Sequence, residues 1–266
     1  KAAMKYSAPR EISRNKKAKR PMNNLMQIYL DNKAASKPVV NLSVADKTAT
    51  IYAHGVIYPE FGVNAADIKA AVDKAGDVET IVFNINTPGG SVFEGREIMD
   101  VIRNIKAKTV AHIGSLCASA GTSIAAACDE TEMADGAHYM IHNVHGGAVG
   151  DKSSLRKAAD LFEKIEGAIV NDYVAKTGKD AVEIIAMMEK ETWMTATEAL
   201  ANGFIDRIAE GAKKARNEWN LAAYANAPQA LLEPDPPEQI EEQPEPAPAG
   251  FFMSAANANR LKLALI

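Results

Sequence analysis

Thr80-Ile81-Val82-Phe83-Asn84-Ile85, followed by Asn86-Thr87-Pro88-Gly89-Gly90-Ser91, decides the fold class. The first six residues read as a buried strand, and Pro88-Gly89-Gly90 stops it. Ser91 can cap a helix whose Ile98, Val101, Ile102 and Ile105 form an apolar stripe. The pattern repeats outward. Upstream, Val40, Leu42 and Val44 alternate, Asp46-Lys47 offers a turn, and Ala49, Ile51 and Ala53 alternate again. This predicts a β-hairpin leading into a strand near Tyr52 to Ile57. Asn64 can cap a helix over 65–75 that ends at Gly76.

Downstream, the spacing predicts a strand over 109–113, a small-residue turn and a helix from about Ser119 to Ala127. A short strand over 138–141 leads into Gly-rich His145-Gly146-Gly147. A long helix over about 152–176 carries Leu155, Leu161, Phe162, Ile165 and Ile169 at helical spacing and ends at Thr177-Gly178. A helix over about 180–189, another from Ala196 and a strand over 204–208 close the core. Strands alternating with helices imply an α/β fold with parallel pairing.

The chain has 266 residues and a net charge of −4, but the charge is unevenly placed. Residues 1–20 carry eight bases and one acid, and residues 223–250 carry six acids and no base. Seven of the twelve prolines lie between Pro228 and Pro248. The expected organisation is a basic flexible arm (1–35), a folded domain (36–222), an acidic Pro-rich disordered linker (223–250) and a short apolar end (251–266). Cys117 and Cys128 do not make a disulfide framework and read as small buried hydrophobes of a reducing compartment. The most apolar run, 116–128, is too short and too polar to span a bilayer, and no signal peptide is visible. A cytoplasmic protein with no membrane and no nucleic-acid partner is expected.

Four features could carry chemistry. Asn86 to Ser91 frees backbone N–H groups at a helix N-terminus, where a phosphate, a carboxylate or a developing oxyanion can bind. In Gly114-Ser115-Leu116-Cys117-Ala118-Ser119-Ala120-Gly121, small neighbours give a substrate backbone room to approach Ser119. Ser115, Ser123 and Cys117 are competing nucleophile candidates. His142 ends an apolar strand, where an imidazole can activate a hydroxyl; His145 lies three residues on. Glu189 and Glu191 precede Thr192-Trp193-Met194, and a carboxylate there can orient the imidazole.

Together, Asn86-Thr87-Pro88-Gly89-Gly90-Ser91-Val92, Ala118-Ser119-Ala120-Gly121, Met140-Ile141-His142 and Thr195-Ala196-Thr197-Glu198-Ala199 resemble the successive motifs of the ClpP serine peptidases, over about residues 49–209. The Glu-Thr-Trp-Met form of the fourth feature and the tailed layout resemble most the ClpP-like head maturation (prohead) proteases of bacteriophages and prophages. The resemblance implies a ClpP/crotonase-like fold of repeated ββα units, with the helix near 152–176 projecting as a handle. It implies Ser119 as nucleophile, His142 as general base and acid, and the N–H groups of Gly89 and Ala120 as the oxyanion hole. Glu191 stands where the family has Asp, with Glu189 close enough to compete for that role. Gly90 and Asn143 fall in the substrate-binding loop, and Thr87 replaces a more usual serine.

The implied activity is a serine endopeptidase without metal or cofactor. The implied substrates are capsid or scaffold proteins, the implied location is the host cytoplasm, and the implied assembly is a homo-oligomeric ring, a heptamer or tetradecamer. No P-loop occurs, so unfolding of substrates would need a separate AAA+ ATPase. The alternatives are a housekeeping-type Clp proteolytic subunit working with such an unfoldase, and an inactive capsid assembly or scaffold protein.

Overall fold

A computed structural model describes Asn32, residues 39–210 and residues 219–232. The expected arm, apart from Asn32, and the expected linker and end beyond Leu232 lie outside the described residues. Over residues 39–210 of the described residues, eight strands and six α-helices run in the order β1 (Val39–Ala45), β2 (Thr48–His54), α1 (Ala65–Ala75), β3 (Thr80–Thr87), α2 (Val92–Arg103), β4 (Lys108–Ala118), α3 (Gly121–Ala127), β5 (Glu130–Ala134), β6 (His138–Ile141), α4 (Lys152–Thr177), α5 (Ala181–Glu189), β7 (Thr192–Thr195), α6 (Ala196–Ala201) and β8 (Arg207–Ala209).

All eight strands form one mixed sheet. Its main path is β1-β2-β3-β4-β5-β8; β6 pairs with β4, and β7 pairs with β6. The β1–β2 hairpin and the β6–β7 pair are antiparallel, and every other pair is parallel. Two ββα units, β1-β2-α1 and β5-β6-α4, flank the simple βα units β3-α2 and β4-α3.

The hairpin turns where Asp46 and Lys47 take positive φ, the backbone a tight hairpin turn needs. Asn64 and Ser91 accept the N–H groups of Asp67 and Glu94, so α1 and α2 start where cap chemistry predicts. The core between sheet and helices holds Ile51, Phe83, Ile85, Ile98, Ile102, Ile113 and Ile124, all nearly or fully buried. On α4, only Val170 and Tyr173 are buried. Its N-terminal part stands off the domain, with Leu155 and Leu161 about half exposed, as expected of a projecting handle.

Several expectations shift. The strand expected near 52–57 ends at His54, and Ile57 keeps only isolated bridges. The run 114–118, expected as a turn, continues β4 instead. Its small side chains let one strand serve two neighbours: residues 110–113 pair with β5 and residues 116–118 with β6. The helix expected from Ser119 therefore starts at Gly121. β5 and β7 were not anticipated, because five and four residues show too little periodicity. The last strand lies at 207–209 rather than 204–208; Phe204 and Ile205 are buried in the loop before it. The linker expected from residue 223 does not hold over 223–232, where Tyr224 is buried against the domain.

Candidate active site

Three strand ends meet at one point of the sheet. β4 and β6 run parallel with Ala118 opposite Met140, so Ser119 and His142 leave neighbouring strands side by side. The Ser119 N–H donates to the Met140 carbonyl at 2.9 Å and holds the two ends together. β7 runs antiparallel to β6 with Thr192 opposite Ile141. The pairing ends there, one residue short of both His142 and Glu191. Strand pairing thus gathers residues spread over 119–191.

Ser119 has φ 53°, a left-handed conformation uncommon for a residue with a Cβ. That turn ends β4 abruptly and presents the side chain at the mouth of α3. Thr122 returns both its N–H (2.9 Å) and its hydroxyl (2.6 Å) to the Ser119 carbonyl, which stabilises the turn. The Ser119 Oγ lies 2.7 Å from Nε2 of His142, the geometry of a hydroxyl donating to a neutral imidazole. Burial, with a smaller contribution from His145, pulls the His142 pKa down to about 3. His142 Nδ1 is buried and has no hydrogen-bond partner among the described residues.

The Pro88-Gly89-Gly90 turn lies against this pair. Gly89 has φ 92°, and a Cβ there would sit 2.7 Å from both the Ala118 oxygen and the Ser119 Cβ. Only glycine brings this backbone so close to the serine and to the Ala120 N–H. The Gly89 N–H donates to the Thr87 hydroxyl at 3.0 Å, so in this state it is already engaged. Gly90 and Asn143 line the same cleft of about 250 Å³ as Ser119 and His142. The loop after His142 is tied to α4, where Glu166 accepts the Val144 N–H at 2.9 Å.

Glu191 is buried and also has positive φ, 50°. Its carboxylate does not bond His142. It accepts the N–H of Ala225 (2.9 Å), the N–H of Asn226 (2.6 Å) and the Trp193 indole N–H (3.2 Å). Glu189 is exposed at the end of α5. The structure therefore joins Ser119 to His142 and gives Glu191 to another segment.

The other nucleophile candidates separate clearly. Cys117 is fully buried, and burial raises its pKa far above that of a reactive thiol. Burial likewise pushes Cys128 up to about 12. Ser123 lines the cleft, but the imidazole bonds Ser119. Ser115 lies within β4, and His145 is exposed with its ring 4.5 Å from that of His142.

Sequence reasoning missed Trp219, Tyr224 and Asn32. Trp219, Leu221 and Tyr224 are the last large apolar groups before the proline-rich run, and that spacing is the signal that could have found them. Among the described residues, no group of three or more His, Cys, Asp or Glu could hold a metal ion, and no helix is long and apolar enough to cross a membrane.

Residues 46–212 match the Clp protease family. The chain belongs to that family. Relatives include the ATP-dependent Clp protease proteolytic subunits of Streptococcus pyogenes serotype M5 (strain Manfredo), 34% identical over 143 residues, and of Streptococcus suis (strain 98HAH33), 34% identical over 146. The protein of Streptococcus equi subsp. equi (strain 4047) is 35% identical over 143 residues. These alignments cover 52–53% of this chain and 73–74% of the relatives. As a Clp-type peptidase, the chain is a hydrolase of peptide bonds, and the mixed sheet with its helices is the fold of this family.

Proposed function

We propose that this chain is a serine endopeptidase in which Ser119 attacks the scissile carbonyl and His142 takes its proton and returns it to the leaving amine. The observation that carries this reading is the 2.7 Å contact between Ser119 Oγ and His142 Nε2 at the mouth of a cleft. The N–H groups of Ala120 and, once released from the Thr87 hydroxyl, Gly89 stabilise the oxyanion, and Gly90 and Asn143 hold the substrate backbone. Glu191 is the acid that orients the imidazole; its support is that it is a buried carboxylate directly before β7, the strand paired with the one that ends beside His142. Labelling with a fluorophosphonate, with Ser119→Ala as control, tests the assignment; equal labelling of that variant defeats it.

The substrates in this reading are capsid or scaffold proteins processed during phage head maturation in the host cytoplasm, and the enzyme assembles as a homo-oligomeric ring. Its supports are the Glu191-Thr192-Trp193-Met194 sequence and the long segments on either side of the family match, the second of them acidic and proline-rich. The names of the relatives favour a second reading, a proteolytic subunit that receives substrates from an ATP-dependent unfoldase. Incubation with a capsid precursor, in parallel with an AAA+ unfoldase and an unfolded substrate, separates the two by intact mass. Cleavage of the precursor without ATP supports the first. Cleavage only with unfoldase and ATP supports the second.

A further inference from the structure

The segment 219–232 packs against the site and places Tyr224 in the wall of the cleft. Trp219 donates its indole N–H to Asn86 Oδ1 at 2.7 Å, immediately before the Thr87-Pro88-Gly89 turn. Asn32 clasps the backbone of Asn220, accepting its N–H at 2.7 Å and donating to its carbonyl at 3.0 Å. Leu221 is fully buried against a patch made by Val56, Leu116, Ala118 and Met140. Asn226 adds a side-chain bond to the Lys190 carbonyl at 2.8 Å.

Tyr224 is the centre of this segment. It is buried, lines the cleft with Ser119, and donates its hydroxyl to the Pro88 carbonyl. Its ring packs edge-on against His142 (5.5 Å between centroids) and against Trp193 (5.6 Å). The next two residues, Ala225 and Asn226, hold both oxygens of Glu191 through their N–H groups. The ring that touches the base and the amides that engage the acid thus belong to consecutive residues of one strap.

We propose that residues 219–232 form an intramolecular inhibitor of the Ser119 site: Tyr224 occupies the cleft beside the nucleophile, and the Ala225 and Asn226 amides keep Glu191 from His142 until the strap is displaced. The proposal rests on the serine peptidase reading above and deepens it. An imidazole with an unpartnered Nδ1 is a weak general base, and a carboxylate brought to that N–H raises its basicity. An extended substrate entering the cleft competes with Tyr224 for the same space. Displacing the strap therefore opens the site and frees the acid in one step.

The test uses the full chain and follows two rates, fluorophosphonate labelling and hydrolysis of a short fluorogenic peptide. Wild type is compared with Tyr224→Ala and with Asn32→Ala, which loosens the strap from a residue that does not line the cleft. If the strap is closed most of the time, Tyr224→Ala raises Ser119-dependent labelling by about tenfold, and Asn32→Ala raises it by less. A synthetic peptide of residues 219–232 added to Tyr224→Ala slows labelling again. A rise in either variant supports the strap, and Asn32→Ala decides if Tyr224→Ala does not fold. Wild type that labels at Ser119, with neither variant labelling faster, overturns the strap and leaves the peptidase reading standing. No Ser119-dependent labelling in any of the three proteins overturns both.

Discussion

The β4–β6 corner and the strap over it are stabilised in different ways. The corner grows out of the main core, where Ile85, Ile113, Cys117, Tyr139 and Ile141 are all fully buried and backbone pairing sets each residue's neighbour. The strap buries Trp219, Leu221 and Tyr224 in a smaller cluster, and its polar ties include bonds to Asn32, Asn86, Pro88, Lys190 and Glu191. A segment with few apolar contacts opens at lower free energy than a core strand does. The proposed catalytic pair therefore sits on the better-buried part, and its proposed acid is held by the part with fewer apolar contacts.

The sharpest way to break this contrast is at the nucleophile. Ser119→Ala is expected to lower peptide hydrolysis by about 10⁴-fold or more, measured at saturating substrate. Next is Glu191→Gln. With the strap loosened by Tyr224→Ala, it is expected to lower turnover by on the order of 10²–10⁴-fold, as removal of an orienting acid does. In the intact chain the same substitution has a smaller effect, because it also weakens the latch on Ala225 and Asn226. Equal turnover of the Tyr224→Ala protein with and without Glu191→Gln would remove Glu191 from the proposed machinery.

Stability tests the core side of the contrast. Ile98 is fully buried in the main cluster, and Ile98→Ala is expected to cost about 2–5 kcal/mol in denaturant unfolding. His142 adds a pH dependence. Folded His142 takes a proton only near pH 3, whereas an unfolded imidazole does so near 6.5. The unfolded chain binds more protons between those values, so this contribution is complete above about pH 6.5 and is lost as pH falls toward 3. The slope is at most about 1.4 kcal/mol per pH unit, and His142→Gln is expected to flatten it relative to wild type. The smallest global effect is expected of Leu221→Ala. It should leave the unfolding midpoint nearly unchanged while the Ala225 and Asn226 amides exchange faster, read by hydrogen exchange. A global loss as large as that of Ile98→Ala would show that strap and core unfold as one unit.

Much of this was legible in the residues. The caps at Asn64 and Ser91 and the end of α1 at Gly76 follow local rules that hold wherever the chain lies. The pairing of Ser119 with His142 was also readable, but through the resemblance of the motifs around them to those of the ClpP serine peptidases, since Ser119 by itself reads as the start of a helix. The course of β4 was not, because Gly114 to Ala118 looks like a turn until two neighbours claim its two halves. Short β5 and β7 were hidden for a related reason: at four or five residues, pairing partners decide a strand more than composition does.

The sequence by itself determined the alternation of strands and helices, the glycine turn beside the serine, and a serine–histidine pair as the candidate chemistry. The first two are matters of period, cap and backbone freedom, written in neighbouring residues; the pair follows from the resemblance of its motifs to those of the ClpP serine peptidases. Only the tertiary structure decided what Glu191 touches and that Trp219 to Leu232 belongs with the domain. A carboxylate takes the nearest well-placed donors, and here they are amides more than thirty residues along the chain. A Trp and a Tyr ahead of a proline-rich run become a strap only when Asn86, Pro88 and His142 are already in place to receive them.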